Sequence, residues 1–523
     1  LATALSAGAA RVIASSGAIT GYAALTVTLP ALTVASIAPS SGAVGTSVPA
    51  ALVGTGFDAS AALTLERAEA AQGTWTVTGA FTQARFAGTL TKLRDGRALL
   101  AGGMLEGLPP GLTDVDLYDP ATQTWSSGPP LRSGRNQYNS VLLPDGRVLA
   151  VGGRGPSGDA NASAELYDPV SSTWTTAAPL SHGRWAFALA LLPDGRVLAA
   201  GGWDGVAALN SAEIYDPAAD AWTAAPAMGT ERVWPAFTAV AGKVLVSGGS
   251  AGTGVATAEI YDPGTNSWSP AGTMNEPRYL HKLAVLPDGK VLAAGGLTAD
   301  AAEVYDLATG TWTPTGPVGV RRYVQSLVLV AGVPMIIGGE NTATDHASTE
   351  LYDAAANVWR PGPALTATRT WPMAVVLDDG RVLTAGGRQG LGGGATLNTA
   401  EVLAMPTSQI PATGVAVSDA QNLSGTFDLA GAATGYWDVV VRESGGRTGR
   451  LDGGFRVTPG APALASISVA PATASLPVGA TVQFSAAGTF TDGSTRTLTS
   501  GEVAWTTDLS SVATVNAGLA TGV

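Results

Sequence analysis

Seven arginines recur at one register of a repeating sequence: Arg85, Arg135, Arg184, Arg232, Arg278, Arg322 and Arg369. An aromatic side chain follows each within three residues: Phe86, Tyr138, Trp185, Trp234, Tyr279, Tyr323 and Trp371. Guanidinium groups offer paired hydrogen bonds to carboxylates, and aromatic faces attract cations and stack on sugar rings. One reading of the set is a cationic, aromatic-rimmed site for a glycan or an acidic ligand. A second constellation competes for the same arginines. Seven acids recur in a later phrase: Asp116, Glu165, Glu213, Glu259, Glu303, Glu350 and Glu401. Buried charges are kept when they are paired, so seven cations and seven anions at fixed register also read as structure repeated with the fold. The regularity favours this second reading.

Other chemistry is sparse. His182, His281 and His346 fall at three different registers, so they are not expected to converge on a metal. Asp95, Asp145, Asp194, Asp288 and Asp379 each precede a glycine between apolar alternations. Hairpin geometry accounts for them without an acid–base role. The chain has no cysteine, which removes disulfides, thiolate nucleophiles and Cys-type metal sites. No phosphate loop, metal-binding helix or nucleophile elbow is present. The expectation is a protein without catalytic residues, metal or cofactor.

The elements that position these residues follow from composition. The 523 residues include 68 Gly and 32 Pro, which points to many short strands and turns. Net charge is −12 and only four of the 28 cations are Lys, without a basic cluster, so nucleic acid is not an expected partner. No apolar run reaches the length of a membrane helix. The first 30 residues lack the basic start and compact apolar centre of a signal peptide. A Cys-free, Thr/Gly/Ala-rich β chain points to an extracellular or cell-surface protein.

A repeat fills the middle of the chain. "LPDGRVLAVGG" at 143–153 returns as "LPDGRVLAAGG" at 192–202, "LPDGKVLAAGG" at 286–296 and "LDDGRVLTAGG" at 377–387. Gly-Gly pairs begin at 102, 152, 201, 248, 295, 338 and 386. Between them stand phrases such as "AELYDPVSSTW" and "AEIYDPGTNSW". Asp-Gly marks a hairpin, the Gly pair ends a strand against a neighbour, "ELYDP" is a third strand, and the Trp opens a fourth. Gly-Gly, then Tyr, then Trp at this period resembles the kelch repeat, over roughly residues 71–405. The resemblance implies an all-β fold, a seven-bladed kelch-type β-propeller. Trp75 precedes the first Gly pair, and "NTAEVLAMP" has no Trp after it. The strand around Trp75 is therefore expected to complete the last blade. The chemistry of a galactose-oxidase-type copper propeller needs a Cys joined to Tyr, and this chain has none.

The flanks read as Ig-like β-sandwiches. "IAPSSGAVGTSVPAALVGTGFDASAALTL" (37–65) resembles the first half of an IPT/TIG domain, and the remaining strands return at 409–458, ending in "GGFRVT". The propeller is thus expected as an insertion in one split sandwich, 31–70 with 406–460. Residues 461–523 resemble the N-terminal part of a bacterial Ig-like domain of group 2, marked by "PVGAT", "DGST" and "VATV". Residues 1–30, with "GAARVIASSGAITGYAALTVT", read as the closing hairpin of such a domain, with Leu25 and Val27 on one face. After "VATV" the stretch "NAGLATGV" reads as a Gly-led turn with no closing hairpin. "LAT" recurs at 1 and 519.

These readings make the chain one structural link of an extracellular filament or tandem surface protein, joined head to tail through Ig-like domains. Its expected partners are neighbouring copies of itself. The alternative is an adhesin module that binds glycans or acidic ligands, or other surface proteins, at the propeller mouth.

Overall fold

The computed structural model describes residues 8–16, 19–27, 31–68, 73–107, 111–299, 301–354, 356–390, 394–458, 460, 464–490, 494–499, 502–508, 510 and 512–522. These residues contain strands and no helix. Two compact units are distinguished: Leu1–Ser40, Val48–Asp428 and Gly435–Arg456 form one, and Ser41–Ser47, Leu429–Thr434 and Val457–Val523 the other.

Within the first unit the kelch-like repeats form four-stranded antiparallel blades. The blade Asn139–Leu142, Val148–Val151, Ala164–Asp168, Thr173–Ala177 sets the pattern. Seven such sheets follow in order among the described residues. The last combines Met373–Val376, Val382–Ala385 and Ala400–Ala404 with the distant strand Thr74–Val77. There Leu403 lies opposite Trp75, and Glu401 opposite Val77. Inner strands adjoin from blade to blade, and Met373–Val376 adjoins Thr89–Lys92, so the series returns to its start.

Apolar cores lie between blades rather than within them. Three of the second strands read "VLAV" or "VLAA" and are buried at every position, because each faces a neighbour on both sides. Each core cluster draws on two adjacent blades; one combines Leu149 and Leu166 with Phe187, Leu189 and Tyr215. The repeated Tyr and Trp stand opposite each other on strands three and four, with ring centroids 5.0–5.2 Å apart in six blades. Every one of the seven Trp indoles donates a hydrogen bond toward the preceding blade, from 2.8 Å (Trp268 to Pro226 O) to 3.2 Å (Trp125 to Thr78 Oγ1). In the last blade Leu403 replaces the Tyr, yet Trp75 still donates to Pro363 O at 2.9 Å.

The Gly-Gly pairs have a steric cause. The first glycine of each pair has φ between +59° and +71°, and the second between +93° and +112°. A Cβ on the first would lie 2.2–2.8 Å from the carbonyl oxygen of the next blade's repeated arginine. The Asp-Gly turns differ in detail from a two-residue hairpin. Leu143 N donates to Arg147 O and Gly146 N to Leu143 O, which makes a three-residue loop with glycine at its left-handed position. The Asp takes ordinary backbone angles and instead accepts from the Arg147 N–H at 3.0 Å.

A sandwich completes the first unit. One sheet orders Thr33–Ala38, Ser47–Thr55, Asn422–Asp428 and Thr413–Asp419, and the other contains Thr407–Pro411, Ala62–Ala68, Gly435–Arg442 and Thr448–Thr458. Both sheets therefore mix strands from before and after the blades. Leu52, Leu65, Phe427, Trp437, Val439 and Phe455 are buried between them. On this sandwich Asp438 is fully buried, with Arg450 Nε at 2.8 Å and the Gly453 N–H at 2.6 Å. Burial nonetheless pushes its carboxyl up to about 6, against the opposing pull of Arg450.

Gly8–Ser16 and Ile19–Val27 pair as an antiparallel hairpin, with Ala10 opposite Leu25 and Gly8 opposite Val27. The "LATAL" at 1–5, and the side chains of the hairpin, lie outside the described residues. In the second unit, Leu464–Ala470, Ser485–Phe490 and Thr495–Thr497 form one three-stranded sheet, and Thr481–Gln483, Leu519–Gly522 and Ala513–Asn516 another. The expectation that strand structure stops before "LATG" is corrected. Ala517 and Gly518 take positive φ, and Leu519–Gly522 folds back as the middle strand, pairing on both sides.

Two outcomes follow from this architecture. Gly386→Ala, where a Cβ would meet Arg85 O at 2.5 Å, should destabilise the propeller by about 2–4 kcal/mol. Gly205→Ala, also at positive φ but with open space around it, should cost about 1 kcal/mol, and thermal denaturation compares the two. Between the usual carboxylate pKa and about 6, folded Asp438 holds a proton that the unfolded chain has lost. Its contribution to stability should therefore fall as pH rises through that window, with the midpoint read from the Asp438 carboxyl resonance by NMR.

Candidate functional site: the propeller mouth and channel

The repeated arginines precede the inner strands, and the structure turns them inward. All seven are at most 1% exposed. Each pairs with the acid of its own blade: Arg85 with Asp116 at 2.5 Å, Arg135 with Glu165 at 2.7 Å, Arg184 with Glu213 and Arg232 with Glu259 at 2.9 Å. Arg278 meets Glu303 at 2.5 Å, Arg322 meets Glu350 at 2.6 Å and Arg369 meets Glu401 at 2.9 Å. The Nη1 groups reach backbone carbonyls, and in five of the seven Nη2 also donates to a Ser or Thr hydroxyl, while Nε of Arg135, Arg184, Arg232 and Arg278 has no partner among the described residues. In Arg184, Nη1 holds Gly201 O at 3.0 Å and Ser211 O at 2.9 Å. The second carboxylate oxygen receives a backbone N–H from the strand-to-strand connector, as Glu213 does from Ser181 at 2.8 Å. Burial pulls the guanidinium pKa of Arg184 down while Glu213 holds it up.

This arrangement corrects the ligand-binding reading of Arg85, Arg135, Arg184, Arg232, Arg278, Arg322 and Arg369. Their guanidinium groups are enclosed by the blade and point at fixed internal acceptors. The arginine backbone has a second task. Each carbonyl accepts the N–H of the second glycine from the preceding blade, at 2.8–3.0 Å, and Gly387 N to Arg85 O closes the series.

The aromatic residues that follow the arginines separate into three layers, because one residue of offset changes their direction. Tyr138, three residues on, is buried and donates to Ala101 O at 2.7 Å; burial pushes its hydroxyl up to about 12. Phe86, Trp185, Tyr279 and Tyr323, one residue on, bridge to the residue after their own blade's Gly-Gly pair: Met104, Trp203, Leu297 and Glu340. Here an aromatic arc forms. Trp203 and Trp185 have centroids 6.4 Å apart, Trp185 and Trp234 meet edge to face at 5.4 Å, and Trp234 and Tyr279 stack at 6.4 Å. Arg154 lies over Trp185 at 5.5 Å. Tyr323 sits apart from the arc beside Glu340, which also pairs with Arg388 at 3.3 Å.

The third layer, two residues after each arginine, comprises Ala87, Gln137, Ala186, Trp234, Leu280, Val324 and Trp371. All seven have φ between +50° and +59°, the left-handed region that side chains other than glycine rarely adopt. Their backbones link blade to blade: Gln137 N to Ala87 O, Ala186 N to Gln137 O, Trp234 N to Ala186 O, Leu280 N to Trp234 O and Trp371 N to Val324 O, at 2.9–3.3 Å. This backbone necklace surrounds a cavity of about 320 Å³ that continues along the inner strands. Trp234 and Trp371 line it, together with Phe237, Met373, Gln137, Gln325, His281 and Lys282.

Sequence reasoning passed over Lys282 and the two glutamines. The signal was available in the register: where Lys282 stands, the other repeats carry Thr89, Asn139, Ala188, Ala236, Ser326 and Met373. The three histidines stand apart. His281 is buried with Nε2 2.9 Å from Ser247 Oγ, His182 is exposed beside Ser181, and His346 lies in a connector.

Comparison with known families matches residues 137–181, 184–229 and 235–275 to the Kelch motif. Residues 463–523 match the bacterial Ig-like domain (group 2). Among curated proteins the chain is similar to Ice-binding protein 1 of Shewanella frigidimarina (strain NCIMB 400), 49% identical over 61 residues. That stretch is 12% of this chain and 7% of that protein. Among solved structures it is similar to a fungal alcohol oxidase of the AA5 family in complex with copper, with a TM-score of 0.55 and 18% identity. The match covers 74% of this chain and 99% of that one, and at this identity it shows the fold alone. The chain is all-β and carries kelch repeats and a bacterial Ig-like module.

Replacing a repeated arginine should damage the fold. Arg184→Ala leaves Glu213 buried without its cation and should destabilise by about 3–5 kcal/mol. Arg147→Ala removes a surface pair with Asp145 and should change stability by about 0–1 kcal/mol. Chemical denaturation of the two variants separates the cases.

Proposed function

We propose that the chain is a non-catalytic structural link of an extracellular bacterial surface protein or filament. In this reading a seven-bladed propeller is inserted in a split IPT/TIG-like sandwich (31–70 with 406–460), and Ig-like joints at 1–30 and 461–523 connect neighbouring links. One observation carries the proposal: the 464–522 module leaves its apolar residues outside. Ile467 is 49% exposed, Val469 44%, Val478 83% and Val512 60%. Only a few side chains of the module, such as Ala486, Leu498 and Ala520, are buried. Two three-stranded sheets with this much uncovered apolar surface form a sandwich in need of further strands. A two-stranded hairpin of the Gly8–Val27 type, donated by the next link, supplies strands of the right kind. The similarity to a bacterial Ig-like domain and to a segment of Ice-binding protein 1 supports a place among bacterial surface proteins.

A second reading rests on the Trp203–Trp185–Trp234–Tyr279 arc, which offers a stacking surface for glycans at the propeller mouth. It is compatible with the first, since a link can also display a site.

The recombinant chain should associate in a concentration-dependent way, read by light scattering after size exclusion. Ile467→Lys with Val469→Lys, or removal of residues 1–30, should leave it monomeric. A wild-type chain that stays monomeric at all concentrations overturns the proposal. In the source cell, a denaturing gel band near 52 kDa indicates separate subunits, and a band several-fold larger indicates tandem links in one polypeptide.

A further inference from the structure

The propeller channel contains a cation that the fold does not use. Lys282 opens the inner strand Lys282–Val285 and its side chain is exposed to the cavity. Among the described residues no carboxylate or hydrogen-bond acceptor is paired with it. Among the described residues no Asp or Glu lines the cavity, and Lys282 is the lining residue that carries a full charge. The lining imidazole, His281, is held neutral because burial and the nearby Arg278, Lys282 and Arg232 push its pKa well down. Elsewhere in the propeller most cations meet an acid, down to the surface pairs Lys92–Asp378 and Lys243–Asp262, and Arg94, Arg132 and Arg154 donate to the backbone carbonyls of Pro144, Trp174 and Gly158. Lys282 differs from them in having neither an acid nor a carbonyl acceptor among the described residues. The cost is visible: protein crowding around the narrow lumen lowers its ammonium pKa, and no acid opposes the shift.

The surroundings show what kind of counter-ion fits. On the cavity wall the buried Trp234 indole N–H has no protein acceptor among the described residues, while Gln137 Oε1 and Gln325 Oε1 have no protein donor and suit a hydroxyl or N–H of the ligand body rather than its charged end. Gln325 is itself 1% exposed and anchored through Nε2 to Ala294 O at 2.8 Å, so its free oxygen is held in place. Trp234, Trp371, Phe237 and Met373 supply apolar wall. A lone ammonium, an unused N–H donor and aromatic walls within about 320 Å³ match a molecule with one negative end and a single-ring body. An inorganic dianion would satisfy the charge and leave the aromatic walls without a partner.

We propose that the channel is a binding site for a small organic carboxylate, with Lys282 as its counter-ion and Trp234 and Trp371 against its ring. The site is separate from the assembly surface and shares only Trp234 with the aromatic arc, so it stands or falls independently of both readings above.

Titration of the whole chain with benzoate and with glucuronate tests this, by tryptophan fluorescence and calorimetry, against benzyl alcohol, glucose and inorganic phosphate. At least one carboxylate should bind saturably and about tenfold or more tighter than its neutral counterpart. Lys282→Met should weaken that binding by about tenfold or more, and Lys282→Arg should retain it. Because Lys282 has no internal partner, both variants should keep the wild-type melting temperature. Trp203→Ala, at the far end of the arc, should leave carboxylate binding unchanged while weakening any glycan binding at the mouth. The inference is overturned by equal affinity in Lys282→Met, by equal binding of the neutral compounds, by binding of phosphate alone, or by no saturable carboxylate binding up to roughly 50 mM.

Discussion

The carbonyl oxygen of each repeated arginine accepts a hydrogen bond from the Gly-Gly pair of the preceding blade, and the same residue's guanidinium is clamped by an acid within its own blade. One residue thus fastens a blade internally and to its neighbour. The close approach leaves no room for a Cβ on the first glycine, and the backbone there is left-handed. The Gly-Gly pairs, the arginines and the acids are therefore a single constraint seen from three sides. Burying seven ion pairs contributes little net stability by itself, because desolvation offsets most of the attraction. It does make a misplaced blade expensive, since a shifted register would leave a charge buried alone.

That fastening decides where function can reside. With guanidinium groups enclosed, the propeller mouth presents what the next residues carry. One step after the arginine, Trp185 and Tyr279 build the aromatic arc together with Trp203 and Trp234. Two steps after, the left-handed necklace holds its backbone N–H and C=O groups in blade-to-blade bonds and frees the side chains for the channel. Left-handed Val, Leu and Trp are each strained by about 1–3 kcal/mol, and the blade-to-blade bonds keep them there. Sequence variation at these positions changes the channel chemistry without touching the clamp. Trp234 and Trp371 are products of that freedom.

The two Ig-like parts of the chain contrast in how they treat apolar surface. The sandwich that carries the blades buries Leu52, Leu65, Phe427, Trp437 and Phe455 between sheets assembled from both sides of the insertion. A sheet can accept a long insertion in this way when the inserted body returns its ends to neighbouring strands, as Ala62–Ala68 and Thr407–Pro411 show by pairing directly. The 464–522 module has shorter strands, three to seven residues among those described, and buries few side chains between them. Its Ile467, Val469 and Val478 stay exposed rather than joining a core, and it is on these that the proposed link rests.

Much of the fold was legible in the residues themselves. The Gly-Gly, Tyr and Trp periods gave the four-stranded unit, because each is a local steric or packing need that repeats with the unit. The lone Trp75 before the first Gly pair indicated which strand pairs with Ala400–Ala404. The matching of arginines to acids already pointed to internal pairs. The Asp-Gly loops and the "LATG" ending were misread in part, since loop length and strand pairing depend on a partner strand that a local pattern does not contain. The direction of the side chains after each arginine was hidden for the same kind of reason. Residues one, two and three positions on look alike in sequence, and only the left-handed turn imposed by blade-to-blade bonding sends Trp185 to the mouth arc, Trp371 into the channel and Tyr138 to the Ala101 carbonyl. Sequence alone determined the repeated unit and its charge pairs, because those needs are met within one repeat. Tertiary structure alone decided that Lys282 faces a lumen without a carboxylate, because that lumen is made by residues from all seven repeats at once.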